Sequence, residues 1–219
     1  MRPPFVLALA VIAMLLTFPH LVAPPVPARA PQRKRPALSA AVVHAGLRFA
    51  PDVAPADRQV VLNAIAVARP EARGLVTLVD GLVTVEVGPV SGDGPDVVGL
   101  TSSTSRGFLV QLDLGRVWRE AGQRGTERLV LHELGHVVDH ALVSDKLRRA
   151  LDAQIPAGYG CDPGQPTGAC APVPERFAET FAKWASGDLG FNLYLGYKVP
   201  PPDSMEAWGT DLVRGVASG

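Results

Sequence analysis

The stretch Leu129–His140, "LVLHELGHVVDH", constrains this chain more than any other. It sets three histidines, a glutamate and an aspartate among apolar residues that belong in a core. Charge is costly to bury unless it is paired or bound to something. On an α-helix, residues four apart lie about 6 Å apart along the axis and on one face. His132 and His136 therefore point the same way and can converge on one metal ion. Glu133 is rotated from them by about 100°, where it reaches a water on that metal without being a ligand. This is the H-E-x-x-H arrangement, in which two histidines hold Zn²⁺ and the glutamate serves as general base. The same four letters also arise by chance on solvated helix faces. The flanks "LVL" and "VV" argue against a solvated face here. Gly135 leaves the helix surface bare beside the site at a cost of about 1 kcal/mol in helix propensity, which suits a place where something approaches closely.

Two histidines do not complete a metal site. His132, His136 and His140 would stack over about 12 Å of a straight helix. Ligands of one tetrahedral zinc stand only about 3.3 Å apart. His140 is therefore read as an ordinary residue near the helix end, where a cation is welcome. The metzincin pattern fails, because Asp139 stands at the turn position and no third histidine follows at the required spacing. Asp139, seven residues after His132 and three after His136, is better placed as a supporting hydrogen-bond acceptor than as a ligand. The remaining donor must come from downstream. "PERFAETFAKW" offers Glu175 and Glu179, four apart on a largely apolar helix. A glutamate from this helix would give a His₂Glu site with a position left for water. The other glutamate would orient an imidazole through its free ring N–H. Spacing alone leaves open which does which. Glu175 follows Pro174 in the first helical turn, where a carboxylate is favoured, and this argues for Glu175 as the ligand.

The rest of the chain frames this centre. Its 219 residues are 47% hydrophobic, with 21 basic and 21 acidic residues, which fits one globular domain with a non-globular extension. The absence of net charge gives no argument for nucleic acid as a partner. Arg2 precedes the apolar run Phe5–Phe18, and small residues Ala28 and Ala30 follow, the pattern of an export signal. The alternative is an uncleaved N-terminal membrane anchor, since cleavage after Ala30 would leave Pro31 just past the cut. The basic run Arg33, Lys34 and Arg35 argues against an anchor whose C-terminal side lies outside. Residues 1–30 are accordingly read as signal peptide or anchor, 31–54 as a Pro-rich basic linker, and 55–219 as the catalytic domain. Cys161 and Cys170 bracket a Pro- and Gly-containing loop. In an oxidising compartment they form one local disulfide, and no further cysteine exists to complete a thiolate zinc site.

The patterning predicts an α+β domain. A helix starts at Pro55–Asp57. "LVTLVDGLVTVEV", Leu75 to Val87, reads as a β-hairpin turning at Asp80-Gly81. "VVGLT" and "GFLVQLDL" read as two strands around "SSTSR". The histidine helix begins near Thr126, which is a candidate cap, and its broad apolar face predicts burial on most sides. Helices are also expected over 145–154, from Pro174, and over 202–216. If "GFLVQLD" lies at a sheet edge, it could pair with an extended substrate backbone.

"HELGHVVDH" followed by "ERFAETFA" resembles the gluzincin metallopeptidases, most closely the family of the anthrax lethal factor catalytic domain. That resemblance implies a zincin-like fold: a small mixed or antiparallel sheet packed on the HExxH helix and a glutamate-bearing helix. It implies one Zn²⁺ per chain held by His132, His136 and Glu175, with Glu133 as general base and Glu179 one turn beyond the ligand. It also aligns Tyr159, in Tyr159-Gly160, with a tyrosine that assists at the reacting carbonyl. The chain departs from the family pattern by placing the Cys161–Cys170 loop between that tyrosine and the glutamate helix. The expected activity is that of an exported zinc endopeptidase acting on protein or peptide substrates. It would touch a membrane only through an uncleaved N-terminal segment. A non-catalytic, zinc-stabilised extracellular binding module would keep the same ligands but would need no Glu133.

Overall fold

The computed structural model describes residues 46–90, 97–158, 161, 170–191 and 199–219. All of them belong to the compact unit Ala41–Gly219. The segments read as signal or anchor and most of the linker, together with Tyr159, lie outside the described residues. Four strands form one mixed sheet in the order β1-β2-β4-β3. They are β1 Arg48–Phe49, β2 Val83–Val87, β3 Gly99–Thr104 and β4 Gly107–Leu112. The first three in that order run parallel, and β3 runs antiparallel to β4, with Gly99 opposite Leu112 and Thr104 opposite Gly107. Val83, Val85, Val110 and Leu112 turn one face of the sheet into the core. The expected strand pair is present, but Ser102, Ser103 and Thr104, read as turn, belong to β3, and the turn shrinks to Ser105–Arg106. The condition placed on "GFLVQLD" is not met: it supplies β4, an interior strand, and the edges are β1 and β3. β1 falls inside the stretch read as linker, which had no alternation long enough to announce a two-residue strand.

The hairpin expected over Leu75–Val87 does not form. Helix α1, Pro55–Val67, is followed by α2, Pro70–Val79, and a single 3₁₀ turn at Asp80–Leu82, and only then by β2. Pro70 starts α2 without the loss of a helical hydrogen bond. Ala72, Leu75, Val76 and Val79 then fall on one buried face, at helical spacing. Leucine and valine fit both a two-residue and a 3.6-residue period over this short run, and burial of that face selects the helix.

Helix α3 spans Leu114–Leu142 and is broken at Gly122, which takes φ 62°. It begins well before Thr126. Asp113 caps it by accepting from the Arg116 N–H at 2.9 Å, while the Thr126 hydroxyl donates to the Gln123 carbonyl inside the helix. Ahead of Thr126 the core-facing stripe is thin, Leu114, Val117 and Ala121 among mostly polar residues, and the expected start near Thr126 passes over it. Every residue from Arg128 to Asp139 is buried, as the apolar flanks required. Helix α4, Asp145–Asp152, and helix α6, Met205–Ala217, complete the set with α5, Val173–Ser186. Arg176 of α5 ties down the end of α4, donating to Asp152 Oδ1 at 2.7 Å and to the Ile155 carbonyl at 2.6 Å. Phe177, Phe181, Trp184 and Trp208 stack between α5 and α6. Cys161 and Cys170 are joined in a disulfide with their Cα atoms 4.6 Å apart. No helix among the described residues is long and apolar enough to cross a membrane.

The most extensive helix contact in the domain is α3 against α5. It closes at Gly135, where a Cβ would fall 3.0 Å from the Cα and 3.2 Å from the carbonyl oxygen of Ala178. The bare helix surface noted in the sequence is therefore covered by another helix. Alanine at Gly135 would gain about 1 kcal/mol of helix propensity. It would also press on a backbone that cannot swing aside, and overpacking of this kind costs about 1–3 kcal/mol. The clash outweighs the propensity, so Gly135→Ala should lower the thermal midpoint rather than raise it. Calorimetry of the purified domain checks the sign.

Candidate metal centre

The contact at Gly135 and Ala178 brings the polar residues of two helices together. His132 and His136 descend from α3, and Glu175 enters from the first turn of α5. His132 Nε2 lies 3.1 Å from Glu175 Oε2, and His136 Nε2 lies 3.3 Å from Glu175 Oε1. One donor atom from each residue lies within 4.8 Å of the others, close enough for the three to bind one metal ion. The two separations are hydrogen-bond distances that also lie close to the roughly 3.3 Å expected between ligands of a tetrahedral zinc. Two imidazoles and a carboxylate are also a donor set that suits that ion. The two histidines are nearly buried, and Glu175 is the most open of the three, so the centre faces outward on the α5 side.

Glu179, one turn beyond Glu175, accepts from His132 Nδ1 at 3.3 Å through Oε2. This fixes which ring nitrogen of His132 turns toward Glu175. The other oxygen of Glu179 faces two buried cations, Lys183 Nζ at 3.5 Å and Arg128 Nη1 at 3.8 Å. Burial would raise the Glu179 pKa, but the hydrogen bond from His132 and the charges of Arg128 and Lys183 outweigh it and hold Glu179 below the ordinary carboxylate range. Lys183 also donates to the Val199 carbonyl, and Arg128 to the Asp188 and Phe191 carbonyls. Neither cation was singled out from the sequence. Their signal was present: Arg128 stands four residues before His132 and Lys183 four after Glu179, each one helical turn from a centre residue on an apolar face.

Glu133 lies beside the histidines but outside the donor set. It is 3% exposed. Its Oε2 accepts from the Thr101 hydroxyl of β3 at 2.7 Å. Burial raises its pKa above the ordinary range, against the opposing charges of His132 and His136 and the hydrogen bond from Thr101. Asp139 is fully buried and accepts from Arg148 Nε at 2.7 Å, so it serves α4 and the end of α3 rather than the donor set. His140 is exposed and stacks near Phe108. Tyr159 is outside the described residues. No family model, curated protein or solved structure matches the chain.

Two outcomes follow from this geometry. Glu175→Ala should remove a donor and leave the dialysed protein largely metal-free. Glu179→Ala should keep the three donors but weaken zinc binding by about 10- to 100-fold, the usual result of losing a residue that orients a ligand. Metal analysis after dialysis against a weak chelator separates the two variants.

A third outcome concerns pH. In the metal-free protein burial pulls the His132 pKa down, but hydrogen bonds to Glu175 and Glu179 and the charge of Glu133 prevail and push it up to about 10. A raised folded-state pKa stabilises the fold fully below the unfolded value of about 6.5, and the contribution is lost as pH rises through about 10. Metal must displace that proton. Apparent zinc affinity should therefore climb about tenfold per pH unit across pH 7–9 and level off near pH 10. Competition titrations against a chelator of known proton dependence measure the slope.

Proposed function

We propose that the chain is an exported zinc metalloendopeptidase. The observation that carries this reading is Glu133, a buried carboxylate set against both histidines of the donor set yet left out of it. A metal that only stabilised a binding module would need no such group, and an unliganded buried carboxylate costs stability. The resemblance of "HELGHVVDH" and "ERFAETFA" to the gluzincins supports the same assignment, with His132, His136 and Glu175 as ligands. The Cys161–Cys170 disulfide fits an oxidising, extracytoplasmic setting.

When bound, zinc would polarise the scissile carbonyl and acidify a water beside it. The chain's own groups do the rest. Glu133 takes the proton of the attacking water and hands it to the departing amine. Glu179 fixes the His132 ring, and Arg128 and Lys183 fix Glu179. β3, the sheet edge nearest Glu133 among the described residues, offers its backbone to an extended substrate, the role that "GFLVQLD" would have had only as an edge strand. Tyr159 is the candidate for hydrogen bonding at the developing oxyanion.

Glu133→Gln keeps the shape of the side chain and removes its basicity. It should retain stoichiometric zinc and lose about 10²- to 10⁴-fold in turnover. The test is cleavage of a peptide library by zinc-loaded wild type and variant, with metal content measured on the same samples. A variant of near-normal activity would refute the assigned base. Library cleavage that persists after chelation would refute the metal's part.

A further inference from the structure

The group that holds Glu133 comes from neither metal-bearing helix. Thr101 and Gly99 stand two apart on β3, so their side-chain positions lie on the same face of the strand, toward α3. The Thr101 hydroxyl is 2.7 Å from Glu133 Oε2 and 3.1 Å from the Glu133 carbonyl oxygen. A Cβ at Gly99 would sit 2.2 Å from Glu133 Oε1, 2.7 Å from Leu129 Cδ1 and 2.8 Å from the Glu133 carboxyl carbon. One residue grips the carboxylate and the other leaves room for it. On the peptidase reading, we propose that β3 is the positioning element of the general base: Thr101 sets the direction of the Glu133 carboxylate, and Gly99 keeps clear the space its second oxygen occupies.

Three observations support this over a purely structural contact. The Thr101 hydroxyl has one hydrogen and two Glu133 acceptors in reach, and the shorter contact, 2.7 Å against 3.1 Å, directs it to the carboxylate rather than to the carbonyl. Thr101 and Gly99 act on different oxygens of one carboxylate, which restricts rotation about its last bond. Among the described residues β3 is an edge strand, paired only with β4. A substrate paired along its free side would then share one rigid strand with the base, and the distance between the reacting carbonyl and Glu133 would be set within a single element. Misplacing a reacting group by about 1 Å can cost about 100-fold in rate.

The test uses the full-length, zinc-loaded chain. Thr101→Val removes the hydroxyl and preserves the branched shape. It should lower kcat by about 10- to 100-fold with KM and zinc content unchanged. Thr101→Ser should restore most of the loss. Gly99→Ala should also lower kcat without releasing zinc, because it displaces the carboxylate from its other side. A readout independent of turnover is the double-mutant cycle of thermal midpoints. Thr101→Val should lower the midpoint by about 3–8 °C when Glu133 is present, and by less than half as much in a Glu133→Ala background. An additive cycle overturns the contact. A Thr101→Val enzyme within twofold of wild-type kcat, or a Thr101→Ser variant as impaired as Thr101→Val, overturns the positioning role. A zinc-loaded wild type that cleaves no peptide overturns the peptidase reading and the catalytic half of the proposal, while the cycle still decides the contact.

Discussion

The close crossing of α3 and α5 at Gly135 and Ala178 is the constraint on which the rest of the centre depends. An imidazole reaches only a few ångströms from its helix, and a glutamate little further. Two ordinary side chains interposed between the helices would hold Glu175 and Glu179 out of range of His132. The missing Cβ at Gly135 therefore has an electrostatic result. It allows carboxylates from one helix to face imidazoles from the other at 3.1–3.3 Å. Phe181 packs at the crossing itself, its Cδ1 3.2 Å from where a Gly135 Cβ would stand, while Phe177 and Trp184 hold α5 from the far side against Trp208 of α6.

The ionised side chains deep in this region form one connected set. His132 joins Glu175 to Glu179, and Glu179 joins His132 to Arg128 and Lys183. Removing a single member would leave its neighbour as an uncompensated buried charge, which is far more costly than the net worth of any one pair. The chain could have filled this space with leucine and gained stability. That it does not is intelligible if the set orients a ligand, because a leucine cannot direct an imidazole.

What the sequence disclosed depends on the distance over which each contact acts. His132, Glu133, His136, Glu175 and Glu179 belong to periodic helices, and a 3.6-residue repeat translates spacing directly into direction. The cysteine pair was legible because its loop is short. Arg128 and Lys183 obey the same helical rule, but a lone cation one turn from a centre residue carries no sign of its burial. Thr101 and Gly99 carried no signal, since their contact with Glu133 joins a strand to a helix more than thirty residues away. The mistaken hairpin at Leu75–Val87 has a related cause. Leucine and valine suit either a strand or a buried helix, and only the tertiary partner decides. Which strand forms the sheet edge is likewise a matter of topology, not of any local pattern.

The disulfide has a further consequence for how such a chain can vary. It pins Cys161 and Cys170 at a fixed Cα separation of 4.6 Å, and the glutamate helix begins three residues after the second cysteine. Whatever sequence lies between the cysteines, its two ends leave through the same narrow gate. Insertions, deletions and substitutions there are fenced off covalently from the geometry of Glu175.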